Sequence, residues 1–143
     1  MVKNLRVFDS KVLKKLTIHK LIQQLKSELG FSIKSLEISF VHSSQMITLN
    51  RSYLKHDYAT DIITFQYSND KNNIDGEIII SDEVASKNAK RFRTTASEEI
   101  IRLIIHGVLH LLGYDDQNAG DKKLMKEIEN SLVAKYNFLV CQV

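Results

Sequence analysis

One stretch of the sequence limits the fold more than any other. Residues 99–113 read Glu-Ile-Ile-Arg-Leu-Ile-Ile-His-Gly-Val-Leu-His-Leu-Leu-Gly, apolar on nearly every side of a helix. Such a helix has no face to offer water, so it belongs at the centre of the molecule with other elements packed round it. Thr95 and Glu98 stand ahead of it at capping-box spacing, which predicts a helix over about Ala96 to Leu112. Its polar residues are ordered rather than scattered. Arg102, His106 and His110 recur every four residues along one stripe, with Glu99 seven residues before His106.

The other elements follow from periodicity. Leu21, Ile22, Leu25 and Leu29 lie at helical spacing between Thr17, the expected N-cap, and Gly30, the expected stop. The segment before it, Leu5 to Leu16, holds a short β-like piece. Leu36 to His42 alternates with period two and reads as a half-buried strand, and Ser43-Ser44 is placed to cap a helix carrying Met46, Ile47, Leu49 and Tyr53. Asp61 to Tyr67 is a second strand, Ser68 to Asp75 a polar loop, and Gly76 to Ser81 a third strand. Ser81 then caps a helix whose first turn holds Asp82 and Glu83, where carboxylates complement the helix dipole. A last amphipathic helix, about Asp121 to Tyr136, carries Leu124, Met125, Ile128, Leu132 and Val133. This order predicts an α+β fold: a small mixed sheet packed with helices around the central histidine-bearing one.

Composition narrows the class. At 143 residues the chain is expected to form one domain, residues 1–143, large enough to fold without a disulfide or a metal. Its single cysteine, Cys141, cannot form an internal disulfide and fits a reducing cytosol. Charges in Met-Val-Lys-Asn-Leu-Arg stand where a signal peptide needs an apolar region, and no run reaches the ~18–20 apolar residues of a membrane span. A soluble, cytoplasmic domain is expected. The net charge of +3 is small, but residues 1–31 carry seven Lys/Arg against two acids, and a second basic cluster follows at Lys87, Lys90, Arg91 and Arg93. Both could serve a polyanion, although lysines also commonly solvate the outer faces of helices.

The chemistry lies in the histidine stripe. Four residues rise about 6 Å along a helix, so imidazoles at 106 and 110 can converge on one ion at Zn–N distances of about 2.0–2.1 Å. Two buried imidazoles without a common partner would double the cost of desolvated, unpaired donors, and a shared metal removes that cost. The chain continues Gly113-Tyr114-Asp115-Asp116, which completes the spacing H-x-x-x-H-x-x-G-x-x-(H/D). Gly113 can adopt positive φ and turn the chain back so that Asp116 reaches the ion as third ligand. Three ligands leave a coordination position open for water, the pattern of a catalytic site rather than a structural one. His42 and His56 are spare histidines, read as surface or hydrogen-bonding residues. Zinc peptidases of the H-E-x-x-H type place a glutamate where this chain has Gly107, which opposes peptide hydrolysis. A glycine inside a helix costs about 1 kcal/mol relative to alanine, so close backbone approach or substrate access should require it.

His106-Gly-Val-Leu-His-Leu-Leu-Gly-Tyr-Asp-Asp116 resembles the signature H-G-x-L-H-L-x-G-Y-D-H of the YbeY-type rRNA maturation factors, bacterial metalloproteins regarded as endoribonucleases. Leu49-Asn50, Tyr53, Asp57 and Thr60-Asp61-Ile-Ile-Thr-Phe65 resemble that family's N-x-x-Y-x-x-x-D-x-x-T-D-V-L-S-F segment, and Gly76 to Ser81 its G-D-I-x-I-S strand. The resemblance covers roughly residues 36–135. It implies a zincin-like α+β fold and a cytoplasmic, metal-dependent hydrolase holding one Zn²⁺ through His106, His110 and Asp116, with a metal-bound water as nucleophile. Its substrate would be the 3′ end of 16S rRNA, in ribosome quality control, with small-subunit rRNA and ribosomal proteins as partners.

Two positions depart from the pattern. Asp116 replaces the commoner third histidine, which lowers the formal charge of the centre from +2 to +1. A less acidic bound water, weaker attraction for phosphate and looser selectivity toward Mn²⁺ or Fe²⁺ are expected. Leu54 stands where many members carry an arginine thought to act on the phosphate; Arg51, Lys55 or Arg102 could substitute for it, and Arg91 and Arg93 of the second basic cluster are further candidates for RNA contact. Arg102 could instead pair with Glu99. Two other functions stay open: a ribosome-assembly factor whose metal is structural, and a small metalloprotease.

Overall fold

The computed structural model describes residues 1–54, 60–115 and 117–140, the side chain of Leu54 excepted. Four strands form one mixed sheet: β1 (Leu5–Phe8), β2 (Ser32–Val41), β3 (Ile62–Gln66) and β4 (Asn73–Ser81), in the order β1-β2-β4-β3. β1 and β4 run parallel to β2, and β3 runs antiparallel to β4. Among the described residues five α-helices accompany the sheet: α1 (Lys15–Leu29), α2 (Ser43–Leu49), α3 (Asp82–Arg91), α4 (Ala96–Leu111) and α5 (Ala119–Tyr136). The architecture is α+β, as the element order predicts.

Period two sorts the strand residues between the two faces. Ile74, Ile78 and Ile80 of β4 join Leu36, Ile38 and Phe40 of β2 in the main core, together with Ile18, Leu21, Ile22 and Leu25 of α1 and the apolar residues of α4. The opposite face carries Ile63 and Ile79, directly paired across β3 and β4, under Met46 of α2. Each fully buried isoleucine contributes about 1.5–3 kcal/mol, so a strand as isoleucine-rich as β4 favours the central place it holds.

α4 seats on this sheet through two glycines. A Cβ on Gly107 would lie 2.8 Å from Cδ1 of Ile78, and one on Gly76 would lie 2.7 Å from Cδ2 of Leu111. Helix and strand thus give up a side chain to each other, and α4 approaches β4 closely. Gly107 therefore answers the sheet, and the polar stripe lies on another side of the helix.

Several boundaries differ from the sequence reading. α1 starts at Lys15 with Lys14 in the cap position, so Thr17 lies inside the helix; Leu13 is buried just ahead and anchors the turn into the helix earlier. α2 is capped at His42 rather than at Ser43-Ser44, because Glu83 of α3 supplies the acceptor for the Ser43 N–H at 3.1 Å. His42 meets the same Glu83 oxygen at 3.0 Å, the hydrogen-bonding role expected of it. The loop read over Ser68 to Asp75 is shorter, since Asn73, Ile74 and Asp75 are drawn into β4 by pairing with β2. Past α2 the chain continues as a π-helical turn over Asn50–Leu54, which takes in Tyr53.

His19 illustrates how α1 is held. It is buried, and its Nδ1 accepts the N–H of Val2 at 3.1 Å. Burial lowers its pKa below the ordinary 6.5. The stability it carries is therefore whole above that value and falls away as pH drops below it, when the unfolded chain takes up the proton more readily. One such bond contributes about 1 kcal/mol, or ~3 °C of melting temperature in a chain of this size. Between pH 7.5 and 5.5 the parent is expected to lose about that much relative to His19→Gln, whose acceptor does not titrate; equal losses in thermal melts would contradict it.

Candidate metal centre

α4 is buried along most of its length and packs against α3, α5, β3 and β4. Thr95 caps it, its hydroxyl oxygen accepting the N–H of Glu98 at 3.1 Å. Its C-terminus closes as a Schellman motif: Gly113 N–H donates to His110 O and Tyr114 N–H to Leu109 O, both at 3.0 Å, with Gly113 at φ +99°. The reversal expected of Gly113 is present. Asp116, the third expected ligand, lies outside the described residues, as do Lys55, His56 and Cys141.

The histidine stripe converges. Nε2 of His106 and Nε2 of His110 are 3.0 Å apart, and the two rings meet edge to face at 4.6 Å between centroids. Two ligands of a tetrahedral zinc at about 2.0–2.1 Å would place their nitrogens roughly 3.3 Å from each other. The observed separation is close to that, and both nitrogens belong to partly exposed rings. The donor pair fits a divalent cation of this kind.

The other ring nitrogen of His106 is fixed from a second helix. Nδ1 lies 2.7 Å from Oε1 of Glu129 on α5, a carboxylate with only 5% of its side chain exposed. Oε2 of Glu129 accepts from Arg102 Nη1 at 2.7 Å and from Lys126 Nζ at 3.2 Å. Burial alone would raise the Glu129 pKa, but the hydrogen bonds from His106 and Arg102 outweigh it and hold the carboxyl at about 2. Arg102 therefore pairs with Glu129, and with Asn130 at 2.7 Å, rather than forming the local pair with Glu99 weighed from the sequence.

Beside His106 opens a cleft of about 1100 Å³ between α4, α5 and the end of α3; His110 is not among its lining residues. Its lining includes His106, Arg102 and Arg93, with Lys122, Lys123 and Lys126 along α5. Arg51 and Arg91 are not among the lining residues; Arg91 instead stacks over the ring of Phe92, 5.8 Å from its centroid. Phe92 lines the cleft and is 65% exposed. Asp61, at the foot of β3, also faces the cleft, with Oδ2 held by Asn88 Nδ2 at 3.1 Å. Burial pushes its carboxyl up, and does the same to Glu99.

A family model described as Endoribonuclease YbeY matches residues 3–137, a span that takes in both histidines, Asp116 and Glu129. The chain belongs to the YbeY family. The Endoribonuclease YbeY of Chlorobium limicola is 41% identical over 116 residues, covering 81% of this chain and 79% of its own. That of Parabacteroides distasonis is 44% identical over 103 residues, covering 71% and 72%. The solution structure of TM1509 from Thermotoga maritima superposes with a TM-score of 0.67 at 25% identity, covering 92% of this chain and 88% of that one. No helix among the described residues is long and apolar enough to cross a membrane.

Proposed function

We propose that this member of the YbeY family is a cation-dependent endoribonuclease that matures the 3′ end of 16S rRNA in the cytoplasm, in contact with small-subunit rRNA and ribosomal proteins. Zn²⁺ is the ion we assign, held by His106, His110 and Asp116 on a zincin-like frame. The observation that carries this reading is the 3.0 Å approach of the two Nε2 atoms, with His106 also lining an open cleft. When bound, such an ion polarises a phosphodiester oxygen and acidifies water.

The chain's own residues supply the rest. Arg93 and the lysines of α5 stand along the cleft, where their charges would hold successive phosphates of a single strand. Arg102 spends its guanidinium on Glu129 and Asn130, so it acts on the wall of the cleft more than on the RNA. Phe92 exposes 65% of its surface in the cleft, where a base would stack, a contact worth about 1–3 kcal/mol per base. The Asp61 carboxyl, raised by burial and held by Asn88, faces the same cleft as His106, a neighbour the sequence reading did not single out.

Purified chain incubated with precursor 16S rRNA is expected to cleave it and to leave casein intact. Cleavage is expected to stop with excess chelator and return on adding Zn²⁺. Unchanged cleavage in chelator contradicts metal dependence; RNA binding without cleavage supports an assembly factor, and casein turnover a protease.

A further inference from the structure

The buried carboxylate of Glu129 turns one oxygen to His106 and the other to Arg102 and Lys126, and this division has a chemical consequence. As an ionised carboxylate it can only accept hydrogen bonds, so the His106 nitrogen 2.7 Å away must carry a proton at Nδ1. A neutral His106 then presents a bare lone pair at Nε2, the atom that meets His110. With His106 in that form, the 3.0 Å contact between the two Nε2 atoms requires His110 to donate while no ion is present. A carboxylate behind a ligating imidazole also raises its basicity and fixes its ring.

We propose that Glu129 is a positioning residue that selects the ligand tautomer of His106 and thereby sets how strongly the histidine pair holds a divalent cation. This rests on the metal reading above. The alternative is that Glu129 only welds α4 to α5 through Arg102. The two roles use different oxygens, Oε1 toward His106 and Oε2 toward Arg102 and Lys126, and are separable by substitution.

Glu129→Gln keeps the shape but must turn an amide NH₂ either toward His106 or toward Arg102 and Lys126. Arg102 has no acceptor to offer, whereas Nδ1 of His106 can accept, so the NH₂ turns to His106. The proton moves to Nε2 and the lone pair leaves the site, while Oε1 of the new glutamine still receives Arg102. Arg102→Ala does the reverse, removing the weld and leaving the His106 contact in place.

The test measures Zn²⁺ affinity by competition with a chromophoric chelator, and the His106 tautomer by ¹⁵N NMR of the metal-free chain. Glu129→Gln is expected to bind Zn²⁺ 10–100-fold more weakly and to show His106 protonated at Nε2. Arg102→Ala is expected to stay within about 3-fold of the parent, with Nδ1 protonated. Parental affinity or a parental tautomer in Glu129→Gln overturns the proposal, as does an equal loss of affinity in Arg102→Ala. If the parent itself binds no Zn²⁺ the metal reading falls, and the NMR result alone still decides whether Glu129 governs the tautomer.

Discussion

Replacing His110 with alanine is expected to lower rRNA cleavage at least 100-fold while leaving the fold and the affinity for RNA near those of the parent. His110 supplies one of the two nitrogens that converge in the site, and a 100-fold loss corresponds to about 2.7 kcal/mol of transition-state stabilisation. Losing the Lewis acid accounts for at least that much. The ring is partly exposed at the end of α4, and the residues that seat the helix, Gly107, Val108 and Leu111, are untouched. On the proposed reading the RNA is held by Arg93 and the α5 lysines, which line the cleft away from His110. Cleavage measured on gels, beside thermal melts and filter binding, separates these effects. A His110→Ala chain that cleaves within 3-fold of the parent contradicts the assignment.

The largest effect on stability is expected at Gly76. A Cβ there would lie 2.6 Å from the carbonyl oxygen of Phe65, besides its clash with Leu111. Gly76 pairs with Leu36 on one side and Gln66 on the other, so that carbonyl is fixed within the β3–β4 ladder and cannot withdraw without breaking pairing. Gly76→Ala is expected to cost about 3 kcal/mol, near the upper end for overpacking, and to lower the melting temperature by ~10 °C. Gly107→Ala should cost less. There the contact is with side-chain atoms of Ile78 rather than with a backbone carbonyl held in a ladder, and alanine recovers about 1 kcal/mol of helix propensity. Thermal melts in which Gly76→Ala matches the parent, or proves milder than Gly107→Ala, would show that α4 is not seated by these two positions.

Much of the centre was legible because it is local. His106, His110 and Gly113 lie within eight residues on one helix and its exit, where spacing along the chain dictates spacing in space. Glu129 was missed because it comes from another helix, 23 residues away. A signal for it existed. The buried residues of α5 are Met125, Glu129, Leu132, Val133 and Tyr136, so a glutamate stands in the apolar stripe at helical spacing. A buried carboxylate of that kind needs a charged or donating partner, and Arg102 and His106 formed the nearest unpaired polar stripe. The strand edges were less legible. β4 begins in the polar Asn73 because its ladder with β2 extends beyond the hydrophobic run, and pairing of that kind leaves no mark on one-strand periodicity.

His106 and His110 are expected to grip one divalent cation. Equilibrium dialysis of the purified chain against Zn²⁺, followed by elemental analysis, tests it most directly. One ion per parent chain is expected, and essentially none in a His106→Ala/His110→Ala variant that remains folded. Equal metal content in the two chains, or none in either, would contradict it.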